Sequence, residues 1–386
     1  MILIINDFSE IEGGASKVAI SQAQDFVNAG KEVIFFSSTS NNSDTSLPIN
    51  NNNFMHKTFV WKKNFLFSVI NMLFNFSAFF NLRKILNTHH IDNIYIHSWS
   101  KKLSPSIFLA LKEYKFYMFL HDYFLLCPNG GLFNFKENHH CELKPLSINC
   151  ISTNCDKRNY MHKIFRVCRQ FIYKVCIAKC SPKYIFLNSQ QKKIINMEGS
   201  IIKNKIEVVN ITSRHDFEKN HDIFYLGRLD PEKGIDSFIN LEFVNKLKIN
   251  IAGDGMSRNK LESYSNISLK GWLSYGEAIK EAKKNRFAIF TSLWHEVDPL
   301  TPWELMALGM PVLSADNNLF GKELKKYFPE LVFNYIYEED IENKVNLLLQ
   351  EEYFTDLSKK IYNFANNEIN ARNKNWSKFI KHENMY

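Results

Sequence analysis

Two glutamates and two cations have the residue types and spacing to do chemistry. Glu296 and Glu304 stand in "HEVDPLTPWE" with seven residues between them, after the apolar run "FAIFTSLW" and before "LMALGMPV". Carboxylates placed there can accept hydrogen bonds from sugar hydroxyls, while the helix start beside them offers N–H groups and a positive dipole end to a phosphate. An equally open reading is structural. In "TPWE", Thr301 at the N-cap, Pro302 at the first helical position and Glu304 at N3 would make a capping box, with Glu304 bonded only to the Thr301 amide. Arg228 and Lys233 follow a strand ending at Gly227 in "FYLGRLDPEKG" and belong on the same edge as the glutamates. Either cation alone reads as a solvated side chain paired with Asp230 or Glu232. Two of them with a helix start on one rim suit a diphosphate. "NIAGDGMSR" adds a glycine turn where backbone can approach a flat base or ribose.

The elements that must hold these residues follow a βαβ rhythm. "MILIIND", "KEVIFFSS", "IDNIYIHS", "KFYMFLHD" and "KYIFLNS" read as strands, with a helix over "GGASKVAISQAQDFVNAG". "NNSDTSLPINNNNF" reads as a polar loop. A second alternation brings the strands "DIFYLGR", "LKINIAG", "ISLKG", "FAIFTS" and "PVLSA". The chain has 386 residues, too many for one ordinary core, and the composition turns polar near Asn210. We therefore expect an α/β protein of two doubly wound parallel-sheet domains, 1–210 and 211–365, facing a cleft, with the helix over 366–386 packing back on the first through Trp376.

Apolar residues make up 45% and charged residues 23%, the balance of a globular protein. A net charge of +8 favours anionic partners without choosing among them. The opening "MILIIND" lacks a basic region and is not read as a signal peptide. Seven cysteines without an export signal suggest a reducing, cytoplasmic setting.

At this point the chain resembles a family. "GRLDPEKG", "AGDG" and the Glu-x7-Glu block followed by "ELMALGMPV" are similar to the carboxyl-terminal signature of retaining GT-B glycosyltransferases of family 4 (glycosyl transferases group 1). "EGGAS" and "HDYFLLCPNGG" extend the resemblance to the first domain. It implies GT-B architecture, two Rossmann-like domains, and transfer of a hexose-type sugar from a nucleotide-diphosphate sugar, UDP- or GDP-linked, to an acceptor hydroxyl with retained anomeric configuration. It also implies roles. Arg228 and Lys233 would hold the diphosphate, replacing a divalent metal for which no Asp-x-Asp motif is present. Glu304 would take the ribose hydroxyls and Glu296 would face the donor sugar. Gly13 and Gly14 would bring backbone N–H groups to the diphosphate. His121 would sit by the transferring sugar; its bland alternative is a structural histidine tied to Asp122. One departure stands out: where the family carries a Gly-Phe-Gly type run, this chain has Val297-Asp298-Pro299-Leu300, and Pro299 has no N–H to give.

Three further readings complete the expectations. Cys127, Cys141, Cys150 and Cys155 fall in one segment and either hold a structural zinc, with His139 and His140 as competing ligands, or stay as unpaired thiols. Cys168 and Cys176 are expected on the apolar stripe of their helix. The apolar segment over 65–80 reads first as a buried helix. Beside the basic helix over 157–179 it reads also as a face resting on an anionic membrane, which would suit a lipid-linked saccharide acceptor and a peripheral place on the inner face of the membrane. Family habit adds bacterial surface polysaccharide or glycolipid synthesis. A nicotinamide dehydrogenase is discounted, because the first turn lacks G-x-G-x-x-G and the second strand ends in Ser37-Ser38 rather than an acid. The competing reading is a zinc-bearing, basic nucleic-acid-binding protein, which leaves the two cations and two glutamates unexplained. We expect no nucleic-acid partner and no cofactor in catalysis.

Overall fold

A computed structural model describes residues 1–39, 49, 52–60, 70–208 and 213–381. They cluster into two compact units. One comprises 1–131, 142–204 and the chain from 374; the other comprises 132–141 and 205–373.

The first unit opens with β1 (Ile2–Phe8), α1 (Gly14–Asn28) and β2 (Val33–Thr39). β1 is buried on both faces, as a strand in a helix-covered parallel sheet must be. There follow β3 (Phe54–Val60), α2 (Phe76–Thr88), β4 (Asn93–Ile96) and β5 (Lys115–Phe119). A short antiparallel hairpin, β6 (Phe133–Asn134) and β7 (His139–His140), clusters with the second unit instead. The first unit resumes with α3 (Tyr160–Ile177), β8 (Ser181–Phe186) and β9 (Ser200–Ile201). The sheet order is β3-β2-β1-β4-β5-β8-β9, with every pair parallel.

β3 is the longest of the strands that sequence pattern misses. "FMHKTFV" carries His56, Lys57 and Thr58 in its middle, and an edge strand needs no apolar run because it pairs on one side only. Most of the expected polar loop before it lies outside the described residues, as do 65–69 of the expected apolar helix. The described part of that helix is one-sided: Ala78, Leu82, Ile85 and Leu86 are buried, whereas Phe76 and Phe80 are exposed. No described helix is long and apolar enough to cross a membrane. On α3 the expected stripe is half right. Cys176 is buried, but Cys168 faces solvent.

The second unit contains β10 (Ile223–Leu226), β11 (Ile249–Ala252), β12 (Ile267–Gly271), β13 (Phe287–Phe290), α4 (Leu300–Met306), β14 (Val312–Ala315) and β15 (Val332–Phe333). Its sheet, also all parallel, has the order β12-β11-β10-β13-β14-β15. Phe224, Ile251, Ala288 and Leu313 from four adjacent strands lie in its core. The chain ends in α5 (Glu351–Lys381), far longer than the terminal helix expected from 366. Phe354, Leu357, Ile361, Ala365 and Ile369 recur every three or four positions and are buried, which extends the helix toward its start. Past residue 373 it belongs to the first unit, where Trp376 is buried and its indole N–H donates to Asp25 at 2.8 Å.

Each sheet reverses its strand order once, between β1 and β4 in the first unit and between β10 and β13 in the second. Loops leaving the carboxyl ends of those neighbouring strands diverge to opposite faces and leave a crevice, the place where such sheets take ligands.

Candidate functional site

In the second unit, three of the four singled-out side chains leave the two strands at that reversal. Arg228 and Lys233 follow β10 and Glu296 follows β13; the fourth, Glu304, lies on α4. The turn "RLDPEKG" is laid directly on the end of β13. Thr291 Oγ1 donates to the Lys233 carbonyl at 2.7 Å, and the Leu293 amide donates to the Glu232 carbonyl at 2.9 Å. Gly234 makes this possible. Its φ is +71°, and a Cβ there would stand 2.1 Å from the Thr291 carbonyl oxygen. The consequence is electrostatic: the Lys233 ammonium bonds the Glu296 carboxylate, which also accepts from Ser292 Oγ at 3.0 Å. Lys233 further lies over the Trp294 ring, 5.5 Å from its centroid. Burial alone would push the Glu296 carboxyl up. The Lys233 charge together with the hydrogen bonds outweighs it and holds the group below the usual carboxylate range. Arg228 is exposed, paired with Asp230 and 3.6 Å from Glu232.

Glu304 is buried on α4, but not in the capping box that "TPWE" suggests. The helix begins two residues earlier than that box requires, at Leu300, with Pro299 at its N-cap and no side-chain cap. Thr301 is already helical. The loop before it is held by a pair that sequence reading missed. Arg372 on α5 donates to Asp298 at 2.9 Å, both side chains being buried, and its guanidinium lies 4.2 Å from the Trp303 ring. Asp298, which stands where the family pattern has a glycine-rich run, is therefore held by Arg372. No local signal announces a partner 74 positions away. Gly253 supplies another close approach: its φ is +147°, and a Cβ would meet the Gly227 oxygen at 1.8 Å, so β10 and β11 end in touching glycine turns.

In the first unit, Gly13 caps α1 and Gly14 begins it, after the short loop that follows β1, with open space where either Cβ would be. The loop after β4 is fastened to the end of β1 by Asp7, whose carboxylate accepts the amides of Lys101, Lys102 and Leu103 at 2.8–3.0 Å. His121 follows β5. It is not tied to Asp122, whose carboxylate takes the Phe124 amide instead. Its Nε2 meets His97 Nδ1 at 2.9 Å, and His97 Nε2 meets Gln22 Oε1 at 2.7 Å. Burial pushes His121 down to about 3 and lowers His97 well below its ordinary value.

The four cysteines named as zinc ligands do not form a ligand group, and no metal-holding cluster exists among the described residues. Cys141 clusters with the second unit. Cys150 and Cys155 instead surround a buried ammonium: Lys163 Nζ lies 3.1 Å from Cys155 Sγ and 3.7 Å from Cys150 Sγ. A buried cation thus sits beside these two sulfurs. His140, a competing ligand by sequence, stacks on His295 with centroids 3.7 Å apart and bonds the Asn317 carbonyl at 3.0 Å. His139 bonds Glu137 at 2.8 Å.

Burial depresses His97, His121, His140 and His295, while burial raises Asp122 to about 6. A histidine neutral in the fold and basic when unfolded gives stability that is full above pH about 6.5 and is lost as pH falls below it. Asp122 acts oppositely between about 4 and 6. Four groups against one set the sign: the thermal midpoint should fall steadily from pH 7 to pH 4.5. A midpoint that holds level or rises over that range contradicts it.

The strand orders and the two glycine-turned switch edges define the GT-B class of fold, two parallel-sheet α/β units. Residues 210–368 match the family model described as Glycosyl transferases group 1. Over its full length the chain is similar to the HepE protein of Anabaena, solved in complex with UDP, with a TM-score of 0.67, 14% identity and coverage of 98% of this chain and 99% of that one. It is similar also to sucrose-phosphate synthase of Thermosynechococcus elongatus, with a TM-score of 0.68, 12% identity and coverage of 95% and 94%. Among curated relatives, a GDP-mannose-dependent alpha-mannosyltransferase of Mycobacterium tuberculosis is 30% identical over 92 residues, 24% of each chain. An uncharacterized 41.2 kDa protein in the cps region of Klebsiella pneumoniae is 26% identical over 238 residues, 55% of this chain. The matches span 24% and 64% of those two relatives' lengths.

Proposed function

We propose that this chain is a glycosyltransferase that moves a hexose-type sugar from a nucleoside-diphosphate donor to an acceptor hydroxyl with retention of configuration. One observation carries the reading: the Lys233–Glu296 pair at the β10/β13 strand reversal, with Arg228 on the same edge. In this reading the donor diphosphate draws on Arg228 and Lys233, whose charges stabilise it as leaving group in place of a divalent metal. Glu304 accepts from the ribose hydroxyls and Glu296, held ionised by Lys233, faces the donor sugar. Gly13, Gly14 and His121 serve the diphosphate and the transferring sugar from the first unit. The diphosphate oxygens take the acceptor's proton on the face the donor leaves, so neither glutamate need act as nucleophile, unlike the carboxylate pair of a retaining hydrolase.

The UDP complex of the HepE-type neighbour and the GDP-mannose dependence named for the mycobacterial relative support a nucleotide-sugar donor, with UDP and GDP both candidates. The cps-region relative supports a role in surface polysaccharide or glycolipid synthesis. The exposed Phe76 and Phe80 and, separately, the basic composition of α3 suit a lipid-linked saccharide acceptor met at the inner face of a membrane. The nucleic-acid alternative has no zinc group among the described residues to rest on.

Titration of UDP and GDP into the protein tests the proposal. The parent should bind one of them, and Glu304→Ala should weaken that binding by roughly 10- to 100-fold, the worth of charge-assisted hydrogen bonds to a diol. Equal affinity in parent and variant, or no binding of either nucleotide, would overturn the assignment.

A further inference from the structure

We propose that Gln22 and His97 are positioning residues that fix the tautomer of His121, leaving its proton on Nε2 and its lone pair on Nδ1 to accept a hydrogen bond from a sugar hydroxyl. The inference rests on the function proposed above for the identity of the hydroxyl, and on the geometry of the first unit for everything else.

The three side chains come from three elements gathered at the β1/β4 reversal. Gln22 is on α1, His97 is the residue after β4, and His121 stands two residues beyond β5. The His97 ring is packed in place, stacked on Phe119 at 4.6 Å with an 11° interplanar angle and on His121 at 5.2 Å with 23°. Gln22 and His97 are both buried; the Gln22 carboxamide turns its oxygen to His97, while its own Nε2 has no hydrogen-bond partner among the described residues. A neutral imidazole has one donor and one acceptor nitrogen. The Gln22 carbonyl oxygen can only accept, so the His97 Nε2 it meets carries the proton. His97 Nδ1 is then bare and can only accept, so His121 Nε2 carries the proton across the 2.9 Å contact. The lone pair of His121 is left at Nδ1.

Protonating both nitrogens of His97 would reverse this order, and burial opposes it: both rings are held neutral well below neutral pH. The line ends in a carboxamide, which neither takes nor gives a proton, so it orients His121 and conducts nothing. A carboxylate in place of Gln22 would fix the same tautomer but favour an imidazolium; the amide fixes it without charge. His121 is thereby a hydrogen-bond acceptor for a hydroxyl rather than a general acid.

The test is nitrogen NMR of the full chain labelled at histidine, with His121 assigned by its loss in His121→Gln. We expect a pyridine-type Nδ1 and a pyrrole-type Nε2 at His121. Gln22→Glu, an acceptor at the same place, should raise the His97 pKa and keep that order at any pH above it. His97→Phe, which fills the ring's space without bonding, should let both tautomers of His121 populate. If His97→Phe does not fold, Gln22→Leu makes the same break one step back. The loss of order should lower transfer roughly tenfold or more, as removal of a histidine's supporting partner does elsewhere, with nucleotide affinity unchanged. Donor hydrolysis without acceptor falls too if the hydroxyl belongs to the donor; only transfer falls if it belongs to the acceptor. A proton on Nδ1 in the parent, or an unchanged tautomer in the variants, overturns the inference. Should the parent transfer no sugar at all, the function proposal fails while the NMR result still decides this one.

Discussion

Replacing Lys233 with alanine is expected to cost the protein both its donor chemistry and part of its fold. The side chain bonds Glu296, and both are largely buried, at 18% and 12% side-chain exposure. Removing one partner of such a pair strands the other's charge, at a cost of about 3–5 kcal/mol. Transfer should fall by roughly two to three orders of magnitude, the usual effect of deleting a donor aimed at developing negative charge. The two losses are separable. In the parent, Glu296 titrates below its ordinary value and stabilises the fold above pH about 4.5, an effect lost as pH falls. In Lys233→Ala the largest influence left on Glu296 is burial, which raises its carboxyl. Stability should then decline as pH rises through the carboxylate range, the opposite slope. Lys233→Met combined with Glu296→Gln carries no stranded charge, so it should regain most of the stability and none of the transfer. Urea unfolding at pH 4 and pH 7, run beside a transfer assay, reads all of this. A Lys233→Ala protein as stable as the parent at pH 7 would mean that the ion pair is a surface contact of little weight.

That dual role shows where sequence reasoning stops. The strands announced themselves, because "MILIIND", "YIFLNS" and "FAIF" are apolar runs bounded by turn residues, and parallel strands buried on two faces must look that way. The placement of Arg228, Lys233 and Glu296 was equally legible: a residue just past a strand's carboxyl end can be assigned to an edge without coordinates. What no pattern discloses is which side chains meet. Lys233 and Glu296 both read as ligand-binding residues, yet they bind each other in the protein as it stands. Asp298 reads as a stray acceptor until Arg372 arrives from a helix 74 positions away. Four cysteines at suggestive spacing read equally as a zinc site or as unpaired thiols, because spacing cannot show that Lys163 lies beside Cys150 and Cys155. The capping box failed for a smaller reason. Pro299 fixes φ near the value a helix entry needs, so the helix starts one residue before the threonine that resembles a cap.

Gly234→Ala is expected to dismantle the same site without touching a charged residue. At φ +71° an alanine pays about 1 kcal/mol for the left-handed conformation. The larger cost is spatial. Its Cβ would lie 2.1 Å from the Thr291 carbonyl oxygen and 2.9 Å from Leu293 Cγ, and a backbone oxygen cannot swing aside as a side chain can. Relief requires lifting the "DPEKG" turn off the end of β13. That lift breaks the Thr291–Lys233 and Leu293–Glu232 bonds and loosens Tyr335, whose hydroxyl donates to Thr291 at 3.0 Å and to Gly234 at 3.4 Å. Lys233 then moves away from Glu296. Stability should drop by about 3 kcal/mol, within the range for backbone clashes and broken buried networks, and nucleotide affinity should fall with it. Gly276→Ala is the control. Near the start of a helix, with nothing within 4 Å of its Cβ, it should leave stability unchanged or raise it by up to about 1 kcal/mol. If Gly234→Ala unfolds at the parent's urea midpoint and binds nucleotide as the parent does, then Lys233 reaches its position by some route other than this turn, and the link from glycine to ion pair to donor is cut at its first step.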